Sequence, residues 1–463
     1  MSDVIDLGLR RELFVDRFLV ERMDGLRLLL HHPERREVAF TCDAPWEDNV
    51  AGFASVFEDG GVVRLYYRAA IPDLKDEDFT IAAMAESLDG GRSFRRPELG
   101  LVEFNGSRRN NILHIGKEPG IPPAFIDTNP ARKPDERYKG FCAKWQKLFA
   151  MCSSDGLRWR PMTDGPLQMP GTFDTINSGF WDSVQKLYRS YTRFFADMGD
   201  APPHPDTQEP QPRNVRAIQS STSLDFIRWS TPVPNSYDDN EDRMQLYTNS
   251  ALPCPGAEHI YIAFPNRFVQ HRRTRDDWPY PGCNDALFMT SRDGVHWHRN
   301  LEAWIRPGND ERNWTDRNNY PTWGIVKTSD REWSMYVSEH YRQPDAPCLL
   351  RRLSIRPFGY KSAHADFATG RLVTPPLTFS GQILRLNYST SAIGYVRVGL
   401  ERLDGQPVPG RSLQDMTPRY GDELDGVIAW KTGADLSSVV SKPVRLVFEL
   451  KDADIFALRF SLD

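Results

Sequence analysis

Short runs of small, β-branched and aromatic residues such as "TIAAMAES", "KLFAMCSS", "RAIQSSTS" and "ALFMTSRD" alternate along the chain with polar turn clusters, the pattern of strands. Each run leads into a recurring phrase: "SLDGGRSF" (87–94), "SSDGLRW" (153–159), "STSLDFIRW" (221–229) and "SRDGVHW" (291–297). The closing aromatics, Phe94, Trp159, Trp229 and Trp297, are 65, 70 and 68 residues apart, so one structural unit repeats. A degenerate fifth copy, "SIRPFGY" (354–360), falls about one period later. Asp-Gly or its equivalent makes the turn, and the aromatic opens the next strand and packs between layers.

Upstream of each phrase lies an apolar strand, a turn and an aromatic-rich strand, as in "FASVFEDGGVVRLYYRA" (53–69) and "WGIVKTSDREWSMYVSEHY" (323–341). Each unit therefore holds about four strands, the content of one propeller blade. Five units predict an all-β chain with a five-bladed β-propeller over 1–365. The early strands "ELFVDRFLV" and "LRLLLHHP" are expected to close the ring by completing the last blade. Beyond about residue 365, "GQILRLNYSTS", "GYVRVGLERLDGQPVPG" and "KPVRLVFELKDADIFALRFSLD" alternate apolar and polar residues, which predicts an antiparallel β-sandwich over 366–463, with the boundary at 362–372.

Composition narrows the function classes. The 58 basic and 63 acidic residues, net charge −5, are spread along the chain, and no basic block suggests a nucleic-acid partner. The six cysteines lack metal-finger or paired spacing, which reads as reduced thiols. No window approaches the ~20 apolar residues of a membrane span, and the N-terminus lacks an apolar signal core, so the expected compartment is the cytoplasm unless a signal was removed.

In a propeller, residues preceding each innermost strand converge on one central funnel. Blade one brings Trp46, Glu47, Asp48 and Asn49 ("PWEDN"), blade two Asp127 and Asn129 ("FIDTN"), and blade three Asp174 and Asn177 ("TFDTIN"). Blade four brings Tyr247 and Asn249 ("YTNS"), and blade five Trp314, Asp316, Arg317, Asn318 and Asn319 ("NWTDRNNYPTW"). Three consecutive blades thus offer a carboxylate, which is what glycosidic-bond hydrolysis requires: one to attack or activate water, one to protonate the leaving oxygen, and often a third to tune the pair. Glu47 and Asp48 are adjacent, and one of the two is expected to face the funnel. Trp46 and Trp314 could stack on sugar rings. Asn49, Asn129, Asn177, Asn249, Arg267, Arg317, Asn318, Glu339 and His340 could read hydroxyls, although Glu339 and His340 alternate in a strand and only one of them should point inward. Each aspartate of "DTN" and "DTIN" also has a plain reading as an Asx-turn. Stray carboxylates and carbonyls in the channel would suit a calcium ion, which no motif demands.

The segments "LFVDRFLVERMDGLRLLLHHP", "PWEDN", "FIDTNP", "RNNYPTWG", "SEHYRQP" and "LTFSGQILRLNYSTS" resemble the five-bladed propeller glycosidases of the family 32, 43 and 68 type, especially bacterial proteins of the family 32 N-terminal-like group. The resemblance implies a nucleophile or base from blade one (Asp48 or Glu47), a supporting Asp127 and an acid at Asp174. The chain departs from those families in lacking W-M-N-D-P-N-G, R-D-P and E-C motifs, and in carrying Asp where the acid is usually Glu. Fructan or arabinan specificity therefore does not transfer. Other readings are a non-catalytic sugar-binding propeller and another propeller enzyme, sialidase-like, lyase or transglycosylase. Against the sialidase version, such an enzyme needs an arginine cluster and a tyrosine nucleophile, and the sequence offers one good funnel arginine, Arg317, with Arg267 and Arg342 as secondary candidates.

Overall fold

The computed structural model describes residues 4–47, 49, 52–69, 80–116, 123–144, 146–205 and 208–463, and Asp48 therefore lies outside the described residues. Among them there is no α-helix, only strands and short 3-10 turns, so no helix is long and apolar enough to cross a membrane. The chain divides into two compact units, Pro33–Ser354 and a second formed by Met1–His32 with Ile355–Asp463.

The first unit is a five-bladed propeller. Blade one runs Gly52–Asp59, Val62–Ala69, Thr80–Ser87 and Ile112–Gly116, and blade two Ala124–Ile126, Tyr138–Lys144, Lys147–Ser153 and Arg160–Pro161. Blade three runs Ser178–Asp182, Leu187–Asp197, Asn214–Ser223 and Val233–Pro234. Blade four is built on Leu252–Cys254, Ala257–Ala263, Met289–Ser291 and His296–Arg299, to which Ser236–Tyr237 adds a parallel edge. Blade five takes Val326–Ser329, Glu332–Glu339 and Leu349–Ile355 from one end of the unit, and its outermost strand, Glu34–Thr41, from the other.

An N-terminal strand thus closes the ring, but not the ones expected. Glu12–Leu13 and Arg27–Leu30 pair with Arg445–Ser461 and Lys361–Ala365 in the second unit, where Phe14 and Leu19 are fully buried. The closing strand "ERREVAFT" is exposed over its first five residues, as an outermost strand can be, and so does not read as a core strand. The division near residue 365 is corrected accordingly: the propeller spans 33–354, and the first 32 residues pair into the other unit.

The repeated phrase is a latch between blades. In the first, second and fourth copies the serine hydroxyl accepts the glycine N–H, from Gly91, Gly156 and Gly294 at 2.8–2.9 Å. The aspartate takes two backbone N–H groups just beyond it, as Asp155 does from Leu157 and Arg158, both at 2.8 Å. The turn so fixed is gripped by an aromatic on the second strand of the preceding blade. Tyr66, Tyr191 and Tyr336 donate their hydroxyls to the carbonyls of Gly156, Gly294 and Gly91 at 2.9, 3.0 and 2.6 Å. The closing aromatic then packs edge-on against the same ring: Trp159 on Tyr66, Trp297 on Tyr191 and Phe94 on Tyr336, with centroids 6.1, 5.5 and 5.3 Å apart. The third copy has Phe226 in place of glycine, at φ 66°, and Phe141 in place of the tyrosine; these two rings stack at 4.7 Å while Trp229 packs edge-on at 5.4 Å. Each such aromatic pair contributes about 0.5–1.5 kcal/mol beyond its buried area. The fifth phrase carries no latch, because at Ile355 the chain leaves the propeller.

In the second unit eight strands form one hydrogen-bonded sheet around the long antiparallel pair Ile383–Glu401 and Arg445–Ser461, whose register slips between Thr390 and Tyr395, and Ile5–Asp6 pairs in parallel with Leu377–Thr378 in a separate two-stranded sheet.

Candidate functional site

The mouth of the propeller lies where the inner strands begin. Phe53, Tyr247 and Tyr320 form an aromatic wall there, Phe53 meeting Tyr320 at 5.6 Å and Tyr247 stacking on Tyr320 at 5.5 Å with 19° between the planes. Beside this wall are two cavities. One of about 160 Å³ is lined by Phe53, Tyr67, Arg68, Phe173 and Asp174, from blades one to three. The other, about 300 Å³, is lined by Arg216, Tyr247, Asp316, Arg317, Tyr320 and Arg342, from blades three to five. Three of the lining residues, Phe53, Arg317 and Arg342, hold φ between 50° and 62°, a region costly for residues with a side chain.

Two carboxylates face these cavities. Asp174 is at the rim, its side chain 64% exposed, and is paired with the nearly buried Arg193. Asp316 is 7% exposed and accepts Trp278 Nε1–H at 2.9 Å. Its other oxygen lies 3.6 Å from Arg317 and 3.7 Å from Arg342, beyond good hydrogen-bond length. Burial and the neighbouring Arg193 hold the Arg216 guanidinium below its usual pKa. Burial raises the Tyr320 phenol well above its ordinary value, and the phenol of Tyr247 reinforces the shift.

The other expected site residues are placed elsewhere. Asp127 follows the inner strand Ala124–Ile126 and so sits at the end opposite the mouth. It is buried, 2.8 Å from Lys139 Nζ and 2.7 Å from the Tyr188 hydroxyl, and accepts Asn129 N–H in the anticipated Asx-turn. Burial alone would lower the Lys139 ammonium, but its bonds to Asp127 and Tyr188 outweigh that and raise it. Asp59 and Asp182 end the inner strands of blades one and three and take the hydroxyls of Tyr138 and Tyr261 from the following blade in the same way. Asp127 is thus one of three equivalent ties between blades. Glu47 is also turned away from both cavities: both its oxygens bind Arg96, and the buried Tyr67 hydroxyl donates to it.

The amides are largely spent on the fold. Asn129 bonds Tyr188, Asn249 bonds the carbonyls of Ile176 and Tyr191, and Asn318 bonds Thr315 and the Tyr341 N–H. Asn49 donates to the Gln343 carbonyl, and Asn177 to those of Phe173 and Thr175. Trp46 donates to Asn111, and Trp314, 39% exposed, to the Gly308 carbonyl. Glu339 is clamped by Arg35 and Arg351, and His340 Nε2 is 2.7 Å from Asp310. Arg267 pairs with Asp285 in a separate cleft of about 780 Å³. Of the residues named from sequence, the structure therefore brings Asp174, Tyr247, Asp316, Arg317 and Arg342 to the cavities.

The arginines Arg68, Arg193 and Arg216 were not anticipated. A signal for two of them is present, because "YYR" and "YTR" place Tyr-x-Arg at the same point of the second strand in blades one and three, Tyr66 with Arg68 and Tyr191 with Arg193. Among the described residues, the cluster of three acidic or imidazole groups close enough to share an ion is Asp238, just past the edge strand Ser236–Tyr237, with His296 and His298 on the outer strand of blade four.

No family model matches the chain, and no curated protein matches it. Among solved structures it is similar to an N-acetylgalactosamine deacetylase from F. plautii in complex with blood group B trisaccharide, at 13% identity over 71% of this chain and 95% of that one, TM-score 0.42. It is also similar to the catalytic domain of a GH62 α-L-arabinofuranosidase from Coprinopsis cinerea (12%, 70% and 97%, 0.44). A third is the α-L-arabinofuranosidase Arb93A from Fusarium graminearum (10%, 71% and 98%, 0.40).

Proposed function

We propose that the propeller is a carbohydrate-acting hydrolase that cleaves a glycosidic bond at the mouth of its funnel, with Asp316 and Asp174 as the working carboxylates. The observation that carries this reading is the meeting of Asp316 with the stacked Tyr247 and Tyr320 in one sugar-sized cavity. Aromatic faces take the apolar side of a pyranose or furanose ring, while a recessed carboxylate approaches the anomeric carbon. Asp316, oriented by Trp278, is assigned the nucleophile or base role. Asp174, at the open rim beside Arg193, is assigned the proton donor to the leaving oxygen. Asp48, just ahead of blade one's inner strand, remains a third candidate from the sequence. Carboxyl oxygens ~5–5.5 Å apart across a bound sugar would mean retention, and ~6.5–9.5 Å inversion.

Asp316→Asn and Asp174→Asn should each lower turnover of a responsive aryl glycoside by about 10²-fold or more. Unchanged turnover in these two and in Asp48→Asn would end the hydrolytic reading. A second reading, sugar binding without chemistry, is favoured by the arginines that accompany both carboxylates, and binding without turnover across a broad glycan panel would establish it.

We also read the second unit as a sandwich made by its eight-stranded sheet folding on itself. In support, both halves of the strand Ile383–Glu401, Leu384 and Leu386 before the register slip and Val396 and Val398 after it, enter the same core.

A further inference from the structure

The 300 Å³ cavity holds three guanidiniums, those of Arg216, Arg317 and Arg342, and one carboxylate, Asp316. All three have unspent donors, since Arg317 comes no nearer than 3.6 Å to Asp316, and Arg216 and Arg342 make the case most plainly. Arg216 gives one hydrogen bond, to Gln245, while its Nε is buried without a partner, and no carboxylate among the described residues forms an ion pair with it. It lies instead over the rings of Phe268, Phe195 and Tyr247, 5.0, 5.3 and 5.7 Å from their centroids. The Arg342 guanidinium makes no hydrogen bond among the described residues. It rests 4.5 Å over Tyr280, and its one ionic neighbour is the 3.7 Å approach to Asp316. A guanidinium has five N–H donors in a planar fork, and withdrawing them from water without acceptors is costly unless a ligand supplies the acceptors. The planar bidentate partner that matches this fork is a carboxylate.

We infer that the funnel is built for an acidic sugar, a uronic acid or a glycoside carrying one, whose carboxylate is held between Arg216 and Arg342 while its ring lies against Tyr247 and Tyr320. The inference rests on the reading of the funnel as the sugar site and names the class of sugar that site accepts. A neutral sugar would leave those two guanidiniums without acceptors, so discrimination should come from the carboxylate more than from the pattern of hydroxyls.

Calorimetric titration of the full chain with D-glucuronate and D-galacturonate, against D-glucose, D-galactose and inorganic sulfate, tests this. One of the uronates should bind roughly tenfold to a hundredfold tighter than its neutral counterpart, the range expected of a charged hydrogen bond. That gap should close in Arg216→Gln and in Arg342→Gln, the latter a partly exposed position where folding is least at stake. Equal binding of acid and neutral sugar would overturn the inference, as would sulfate binding as well as either uronate, or a gap that survives both substitutions. Because titration reads binding alone, the two proposals can fail separately. Uronate selectivity without turnover of any glycoside would remove hydrolysis and leave this inference standing. Hydrolysis of neutral glycosides with no preference for acids would do the reverse.

Discussion

Asp127→Asn separates a structural carboxylate from a catalytic one. The wild-type side chain is fully buried and neutralises Lys139, itself 3% exposed, at 2.8 Å. Removing one member of a buried pair costs about 3–5 kcal/mol, because the other charge stays buried without its counterion. Glu136 lies 3.4 Å from the same ammonium and keeps part of the compensation, which places the expected loss near the lower end, about 3 kcal/mol. For a unit of about 320 residues the unfolding entropy is about 0.7 kcal/mol/K, so Tm should fall by about 4 °C. Lys139→Met should be similarly damaging, and the double variant less so than the sum, since no uncompensated charge remains. Scanning calorimetry of the three variants, with turnover measured well below the transition, reads both quantities. A Tm unchanged within a degree would refute the argument, and lost turnover at unchanged stability would return Asp127 to the chemistry.

The latches and the turn aspartates make further predictions. Tyr191→Phe deletes a hydroxyl and leaves the Gly294 carbonyl without its donor inside a closed interface, which should cost about 1–3 kcal/mol by denaturant titration; no loss would mean the latch adds nothing to stability. Asp89 and Asp225 are held down to about 2 from 3.8: partial burial pushes each up, and hydrogen bonds from serine hydroxyls and backbone N–H groups, with the Arg228 side chain at Asp225, outweigh it. A depressed folded-state pKa adds stability above the unfolded value and loses it as pH falls through the folded one, so the urea midpoint should drop between about pH 4 and 2. Asp225→Asn should flatten part of that drop when midpoints at pH 5 and pH 3 are compared, and an identical profile in the variant would show that these turns do not couple to acid unfolding.

How far the site was legible can be judged from particular residues. Asp127 and Asp174 look alike in sequence, since each sits in an Asp-Thr turn beside an inner strand. The distinguishing pattern was present, because Phe57-x-Asp59, Phe125-x-Asp127 and Phe180-x-Asp182 repeat in three consecutive blades, and a residue repeated at one point of successive blades serves the ring and not one substrate. Glu47 bore no such mark. Its partner Arg96 is 49 positions away and reaches it only because the blade folds back on itself.

The sequence by itself determined the blade count, the latching turns and the all-β class, because these depend on interactions within a few residues and on a period that survives divergence. Only the tertiary structure decided which N-terminal strand closes the ring, which end of an inner strand is the mouth, and that Arg216 and Arg342, from segments far apart in the chain, share one cavity with Asp316. Those outcomes depend on strand direction and on pairing across hundreds of residues, where the choice among similar polar strands is made by the packing of the closed ring and not by local preference.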